Sequence, residues 1–527
     1  MRPMLRSARL ISTIAFACFL AALVWLGHLE RGGPAHGELV LAGGVPATLY
    51  LPGAPGGSGS AAFLDPPPRD ERPPAVVLMH GFAGDRLSLS VLARRLAGAG
   101  YAVLALDARG HGENRNPLPR GFVRADAFYD DFAAAVDHLR ASPFVDGSRL
   151  AVMGHSMGAG AALDFATRDS GLDAAVMVSG GWRLDGPYRP PNALFLVAEG
   201  DPAPIRDRAA ALVARLAEAE RAEPGRAYGS FASATSTELA VVQGADHLSI
   251  VWRADAAAQT IAWLDSAFGI SRAPGPAPSD PRLAALFAMA LAFALALPGL
   301  GLLVAWLAPS REALPGALRA RNLALLALAL AGAMPLLATG TPAEILSAEV
   351  ADAVVALFAL AGVGLLLWLR WREPGLLAWT LRDPLRSLLA AGVGLLAVFA
   401  MTAPFGVVVH RATLTPERLV VFAMCAAGFF PFSLAFACLL RRGTPLGAAL
   451  FALAGRALVV ALLVAGVALG VLPFVLVLML APLCGVFAML ELLAAFAYAR
   501  SRNLLAIALL DAAWLAAVTA ALMPVRL

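Results

Sequence analysis

A mostly parallel, doubly wound α/β sheet joined to an all-α polytopic transmembrane bundle is the fold class the sequence predicts. Three observations carry it. Strand-like and helix-like runs alternate from about residue 37 to 270. Long apolar runs separated by short loops fill residues 283–527. A Pro/Ala-rich stretch, "SRAPGPAPSDP", lies between the two. Hydrophobic residues make up 59% of the 527 and charged residues only 15%, far from the balance of an ordinary soluble chain. The formal net charge of +4 is small for this length and gives no nucleic-acid signature. Cys18, Cys425, Cys438 and Cys484 all lie in apolar runs, which argues against a disulfide framework or a cysteine metal site. No metal and no cofactor is expected.

Residues 1–28 are the first element. Arg2, Arg6 and Arg9 precede an 18-residue apolar run, Leu10 to Gly27, near the minimum for a membrane span. No small-x-small cleavage site follows, so the segment is expected to stay as a signal anchor rather than leave as a signal peptide. Its arginines hold the N-terminus in the cytoplasm and send the next segment outside.

Residues 37–270 form the second. "VVLM" and "AVLALD" read as strands, with the helical "LSLSVLARRLAGAG" between them. The alternation continues through "FYDDFAAAVDHLR", "RLAVMG", "GAGAALDFATR" and "DAAVMVSG", and then through "ALFLVAEGD", "IRDRAAALVARLAEAERA" and "STELAVVQG". Strands alternating with helices make a parallel sheet covered on both faces. "GAPGGSGSAAFLDPPPRDERPP" reads as a flexible insertion near the start of this domain, and residues 271–282 as the linker that ends it.

The rest, residues 283–527, holds eight expected spans: 283–307, 322–339, 350–369, 387–409, 418–440, 447–470, 474–498 and 503–523. Arginines gather in alternate loops (Arg311, Arg319 and Arg321; Arg370 to Arg386; Arg441 and Arg442; Arg500 and Arg502), which places those loops in the cytoplasm. With the anchor this makes nine spans, and both the polar domain and the C-terminus fall outside. The expected location is a bacterial inner membrane, with the polar domain periplasmic. Arg456, Glu491 and Asp511 lie at similar depths inside their spans, so Arg456 is expected to pair with one of the two carboxylates.

The chemistry centres on "G-H-S-M-G", Gly154 to Gly158, which follows the strand "LAVM" and precedes the helix "AGAALDFA". A serine on a sharp strand-to-helix turn has a strained backbone, and bulky neighbours would clash there, so the motif needs Gly154 and Gly158. The helix that follows offers its N-terminus to developing negative charge. Strand, turn and helix around it raise this short pattern above chance.

Residues 37–270 resemble the α/β-hydrolase superfamily, in particular its serine-aminopeptidase, dienelactone-hydrolase and prolyl-oligopeptidase-like branches. Besides the elbow, "VVLMHGFAGD", "LDARGHGEN", "LVAEGD" and "GADHLSI" carry the likeness, in the family's order. The resemblance implies Ser156 as nucleophile, Asp201 as the acid and His247 as general base. It also implies an oxyanion hole from the backbone N–H groups of Phe82, beside Gly81, and Met157, each worth about 2.7–4 kcal/mol when aimed at the oxyanion. Dienelactone hydrolases carry cysteine where this chain has Ser156, so their substrate class is not implied.

Counting histidines tests the base without the family. Of eight, only His247 and His410 follow the elbow, and His410 sits in a loop of the apolar region. An order of serine, acid and histidine therefore leaves His247. Glu199, two residues before Asp201, is the alternative acid, and Asp185 a third. His80, His111, Asp107 and Arg109 read as residues that brace turns, and His155 as one that packs into the elbow. Only "GGWRLDGPYRPPN" joins two of the strands where relatives often insert a cap, which predicts an open cleft rimmed by Trp182 and Tyr188.

The expected function is a membrane-anchored serine hydrolase cleaving an ester, thioester or amide/peptide bond on the outer side. The alternative is a polytopic transporter or sensor whose hydrolase-like domain only binds ligand. Expected partners are a small-molecule, lipid or peptide substrate and the lipid bilayer, with no nucleic acid. Nothing in the sequence speaks to oligomeric state.

Overall fold

The computed structural model describes residues 2–53, 65–119, 125–181, 189–273, 275–309, 319–338, 348, 350–412 and 415–526. The chain divides into two compact units. One comprises Met1–Val24, Ala285–Pro404 and Leu414–Met523, the other Trp25–Ala284, Phe405–Thr413 and Pro524–Leu527. Helix α1 (Arg2–Arg31) gives its first part to the former and its end to the latter.

The second unit is built on a nine-stranded sheet. In chain order its elements are β1 (Ala35–Val40), β2 (Pro46–Leu51), β3 (Ala75–Met79), α2 (Ser90–Gly98), β4 (Ala102–Leu106), α3 (Tyr129–Ala141) and β5 (Leu150–His155). There follow α4 (Met157–Ala166), β6 (Ala174–Val178), β7 (Ala193–Ala198), α5 (Ala203–Ala217), β8 (Ala227–Tyr228), β9 (Thr237–Val242) and α6 (Ala254–Phe268). The spatial order is β1-β2-β4-β3-β5-β6-β7-β9-β8. The run from β4 through β9 is parallel, while β1, β2 and β8 pair antiparallel at the margins.

Side-chain alternation explains why both faces are apolar. In β3, Ala75, Val77 and Met79 face a core shared with α3, α4 and α5, represented by Phe132, Leu163 and Val213. Val76 and Leu78 face the other core, against Leu92 and Leu96 of α2 and Ile261 and Leu264 of α6. β1 has a single buried residue, Ala35, the others being half-buried or exposed, and carries His36, Gly37 and Glu38, as suits an edge strand. That polarity is why β1 gives no clear strand signal in the sequence.

Two later segments complete this unit. Within Phe405–Thr413, the Val408 carbonyl accepts from Ser90 Oγ at 3.3 Å. After the final helix, Val525 N–H donates to the Gly110 carbonyl (2.8 Å) and Leu118 N–H to the Val525 carbonyl (3.2 Å), while Leu118 and Arg526 form a parallel bridge.

The other unit is helical: α7 (Arg282–Leu307), α8 (Arg321–Ala338), α9 (Ala351–Arg372), α10 (Pro374–Thr380), α11 (Pro384–Thr402), α12 (Pro416–Leu440), α13 (Pro445–Ala468), α14 (Val475–Leu478), α15 (Leu480–Ser501) and α16 (Leu504–Leu522). Among the described residues eight helices, one of them within α1, are long and apolar enough to cross a membrane by length and composition. These are the features of a multi-pass membrane protein. The run Arg321–Leu337 is apolar but shorter than the rest. Small residues let the helices approach closely. A Cβ on Gly301 would lie 2.2 Å from the Leu493 carbonyl, and one on Gly362 2.2 Å from Phe432 N.

Arg456 is buried in this unit with both expected carboxylates. Its Nε donates to Glu491 Oε1 at 3.0 Å and its Nη2 to Asp511 Oδ1, while Phe436 and Phe487 rings lie within 4.4 and 4.7 Å of the guanidinium carbon. Arg441 donates to the other Glu491 oxygen at 2.5 Å, and Ser433 Oγ to Asp511 Oδ2 at 2.7 Å.

Candidate active site

Ser156 stands between β5 and α4 with φ 53° and ψ −111°, in a region side chains rarely adopt. The strain is held from several sides. Ser156 N–H donates to the Val178 carbonyl of β6 at 2.8 Å, and its own carbonyl accepts from Ala159 and Gly160. The glycines are required by close approach. A Cβ on Gly154 would sit 2.0 Å from the Gly158 carbonyl oxygen, and one on Gly158 2.4 Å from that of Met79. The clash argued from the sequence is thus between the two ends of the turn and the neighbouring strand.

His247 reaches this serine from the loop after β9. Its Nε2 lies 3.0 Å from Ser156 Oγ and its Nδ1 2.7 Å from Asp201 Oδ1. A carboxylate only accepts, so Nδ1 carries a proton and donates, which leaves Nε2 of the neutral ring to accept from the serine hydroxyl. Asp201 follows β7, and its second oxygen accepts from Ser179 Oγ at 2.6 Å and from Ala198 N–H at 2.8 Å. Burial pushes this carboxyl up. The hydrogen bonds from His247 and Ser179 outweigh that and hold it below the ordinary carboxylate range. All three side chains are buried.

The histidine loop is fixed by its neighbours. His155 Nε2 lies 2.8 Å from the His247 carbonyl, which can only accept, so His155 donates there. Burial, with the adjacent His247, pushes the His155 imidazole down to about 3, so it is neutral at physiological pH. Asp246 Oδ1 caps the same loop by accepting from the Leu248 and Ser249 N–H groups at 2.9 Å.

Glu199 stands elsewhere. Its carboxylate accepts from Gly244 N–H at 2.9 Å, and the residue is exposed. The structure brings Asp201, and not Glu199, to His247. Asp185, Trp182 and Tyr188 lie outside the described residues.

The loop after β3 lies against the elbow. A Cβ on Gly81 would come within 3.0 Å of His155 Nδ1 and 3.1 Å of Ser156 Cβ, so this chain passes directly over the serine with Phe82 next in line. Met157 opens α4, where a helix leaves N–H groups without internal acceptors. The turn-bracing residues are where the sequence puts them. His80 Nε2 accepts from Ala108 N–H at 3.1 Å, and Asp107 takes Arg86 N–H at 2.7 Å. Arg109 N–H donates to Asp131 Oδ2 at 2.9 Å. Ser179 is a site residue the sequence does not reveal. It is one of many small hydroxyls after a strand, and only the pairing of β6 beside β5 and β7 carries it to Asp201.

Residues 70–219 match the family model described as serine aminopeptidase, S33. Cutinase est2 of Thermobifida alba is 33% identical over 116 residues, 22% of this chain and 37% of that protein. An uncharacterised protein of Mycobacterium tuberculosis is 35% identical over 119 residues, 23% of this chain and 36% of that protein. The chain thus spans little more than a third of the length of these relatives. The solved structure of a dienelactone hydrolase from Anabaena variabilis is similar with a TM-score of 0.30 and 18% identity, covering 44% of this chain and 97% of that one.

Proposed function

We propose that this chain, whose residues 70–219 match the serine aminopeptidase S33 family model within a mostly parallel nine-stranded sheet, is a membrane-tethered serine hydrolase that cleaves a carboxylic ester or related acyl bond through Ser156, His247 and Asp201. One observation carries the proposal: hydrogen bonds run in unbroken order from Asp201 through His247 to Ser156. In this reading His247 Nε2 takes the Ser156 proton as Oγ attacks the acyl carbon. Asp201 holds the ring in the required tautomer and stabilises the imidazolium. The Phe82 and Met157 N–H groups receive the oxyanion, and His247 returns its proton to the leaving group. Water, activated by the same histidine, then releases the acid and restores the serine.

Among ester, thioester and amide bonds, the ester is favoured by the relatives named as cutinases. The proposal also places the catalytic unit on the periplasmic side of a bacterial inner membrane. Arginine-rich loops on the opposite side support this. So does the membership of Phe405–Thr413 and Pro524–Leu527 in the sheet-bearing unit, because both follow spans expected to end outside.

A fluorophosphonate probe and a short-chain p-nitrophenyl ester test the reading on purified full-length protein. Labelling and hydrolysis are expected in the native chain and absent in Ser156→Ala that keeps its expression and membrane insertion. Equal activity in that variant would overturn the nucleophile.

A further inference from the structure

The loop that carries Phe82 turns tightly. Ala83 holds φ 61°, a left-handed conformation for a residue with a Cβ, and the Gly81 carbonyl accepts from Gly84 N–H at 3.1 Å and lies 2.8 Å from His80 Nδ1. Its far end is Asp85, a buried carboxylate. Asp85 Oδ1 accepts from Leu87 N–H at 3.1 Å and Ser88 N–H at 2.9 Å. Its other oxygen accepts from the backbone N–H of Arg411 at 2.7 Å, more than three hundred positions away. Without that donor one oxygen of a dry carboxylate would lack this partner, which is costly.

Charge makes the same demand. Asp85, Asp107, Glu38 and Glu113 converge on this corner. Arg86 answers Asp107 and Glu113, donating to Glu113 Oε2 at 2.6 Å and through its backbone N–H to Asp107 Oδ1 at 2.7 Å. Arg411 is the second cation of the cluster. Its Nη2 donates to Glu38 Oε1 at 2.7 Å, and its Nη1 lies 3.5 Å from Glu113 Oε1. Glu113 therefore links Arg411 to Arg86, the residue after Asp85. Two adjacent positions at the foot of the Phe82 loop are thus held by one residue of the α11–α12 connection. Val408, three residues earlier, adds the bond from Ser90 at the start of α2.

We propose that residues 405–412 act as a clasp that positions the oxyanion loop, with Arg411 the positioning residue, so that the Phe82 N–H stays aimed at the developing oxyanion. The clasp rests on the hydrolase reading above for its kinetic consequence, and on geometry alone for its effect on the loop. The described partners of Arg411 are Asp85, Glu113 and Glu38, and not Ser156. Its loss alters turnover, not the nucleophile or its base.

The experiment uses full-length protein in detergent and has two arms. Hydrogen–deuterium exchange is followed over residues 80–90 and 150–160 in the native chain, Arg411→Ala, Arg411→Lys and Asp85→Asn. Arg226→Ala, from an exposed pair with Glu223, is the surface control. Exchange over 80–90 is expected to rise most in Asp85→Asn, which turns an amide N–H toward the Arg411 N–H, and less in Arg411→Ala, which keeps that backbone donor and loses the bonds to Glu38 and Glu113; it is expected to recover in part in Arg411→Lys and to stay native over 150–160 and in the control. In the second arm, p-nitrophenyl ester kinetics are expected to lose about tenfold in kcat with KM little changed in Arg411→Ala, a fraction of what deleting an oxyanion donor costs. Unchanged exchange over 80–90 overturns the clasp, and so does faster exchange there with native kcat. If the native chain shows no ester hydrolysis, the hydrolase reading falls instead, and the exchange arm still decides whether Arg411 holds the loop.

Discussion

Ser179 and His247 share one carboxylate: the serine hydroxyl donates to Asp201 Oδ2 at 2.6 Å while the imidazole donates to Oδ1 at 2.7 Å. Ser179 is fully buried with φ 49°, and its backbone N–H donates to the Leu196 carbonyl at 2.7 Å. A hydrogen bond to a charged group is worth about 1.5–3 kcal/mol, so Ser179→Ala is expected to lower kcat/KM roughly tenfold or more. Steady-state ester kinetics measure it, and a native value would remove Ser179 from the site.

The two neighbouring acids are separated by the same assay. Asp201→Asn presents the wrong partner to the histidine and should cost on the order of 10⁴ in kcat. Glu199→Gln, altering a carboxylate that serves only Gly244 among its described hydrogen bonds, should stay within about threefold, as surface changes do. A larger loss from Glu199 would exchange their roles.

His155 gives the sheet-bearing unit a pH-dependent stability. Its imidazole titrates at about 3 in the folded chain and near 6.5 when unfolded, so between those values the unfolded state binds a proton that the native state refuses. Its contribution is complete above pH 6.5 and is lost as pH falls toward 3. Thermal unfolding of Ser156→Ala should therefore steepen its decline below pH 6.5. Adding His155→Gln, which retains a donor for the His247 carbonyl, should flatten that decline. Parallel curves would refute the assignment.

Within the helical unit, Arg456→Met leaves Asp511 with Ser433 alone among its described side-chain partners, and removing one member of a buried pair costs about 3–5 kcal/mol. The double change Arg456→Met with Asp511→Asn removes the orphaned charge and leaves Glu491 with Arg441. Heat denaturation in detergent should show a large drop for the single variant and recovery of most of it in the double. Equal losses would mean the pair is not energetically coupled.

Sidedness can be read with a thiol. In a background lacking the four native cysteines, Ser279→Cys, exposed within the linker, should react with an impermeant maleimide in intact spheroplasts. Reaction only after lysis would invert the orientation.

Much of the site is local in sequence, and that part is legible. The elbow needs Gly154 and Gly158 because the turn folds back on itself within five residues, and His247 is found by elimination. Asp201 and Glu199 cannot be separated by position, since both end the same strand. Only the paths of the loops turn one toward His247 and the other toward Gly244. Ser179 and Arg411 are invisible for a related reason. Each acts on a residue brought near by strand order or by a remote connection, and neither leaves a motif. The edge strand β1 is obscured by its own polarity, only Ala35 of its residues being buried.

The bridge between Leu118 and Arg526, and the bonds joining Val525 to Gly110 and Leu118, bear on how the protein is made. Every strand of the sheet leaves the ribosome before residue 285, yet the unit is closed by residues 405–412 and 524–526, translated after many apolar helices have been threaded. A helix inserted in the wrong sense would carry one of these segments to the opposite face of the bilayer, and its partners at Asp85 or Gly110 would go unmet. The bonds at Asp85 and Gly110 therefore form only after the helices that precede these segments have been made.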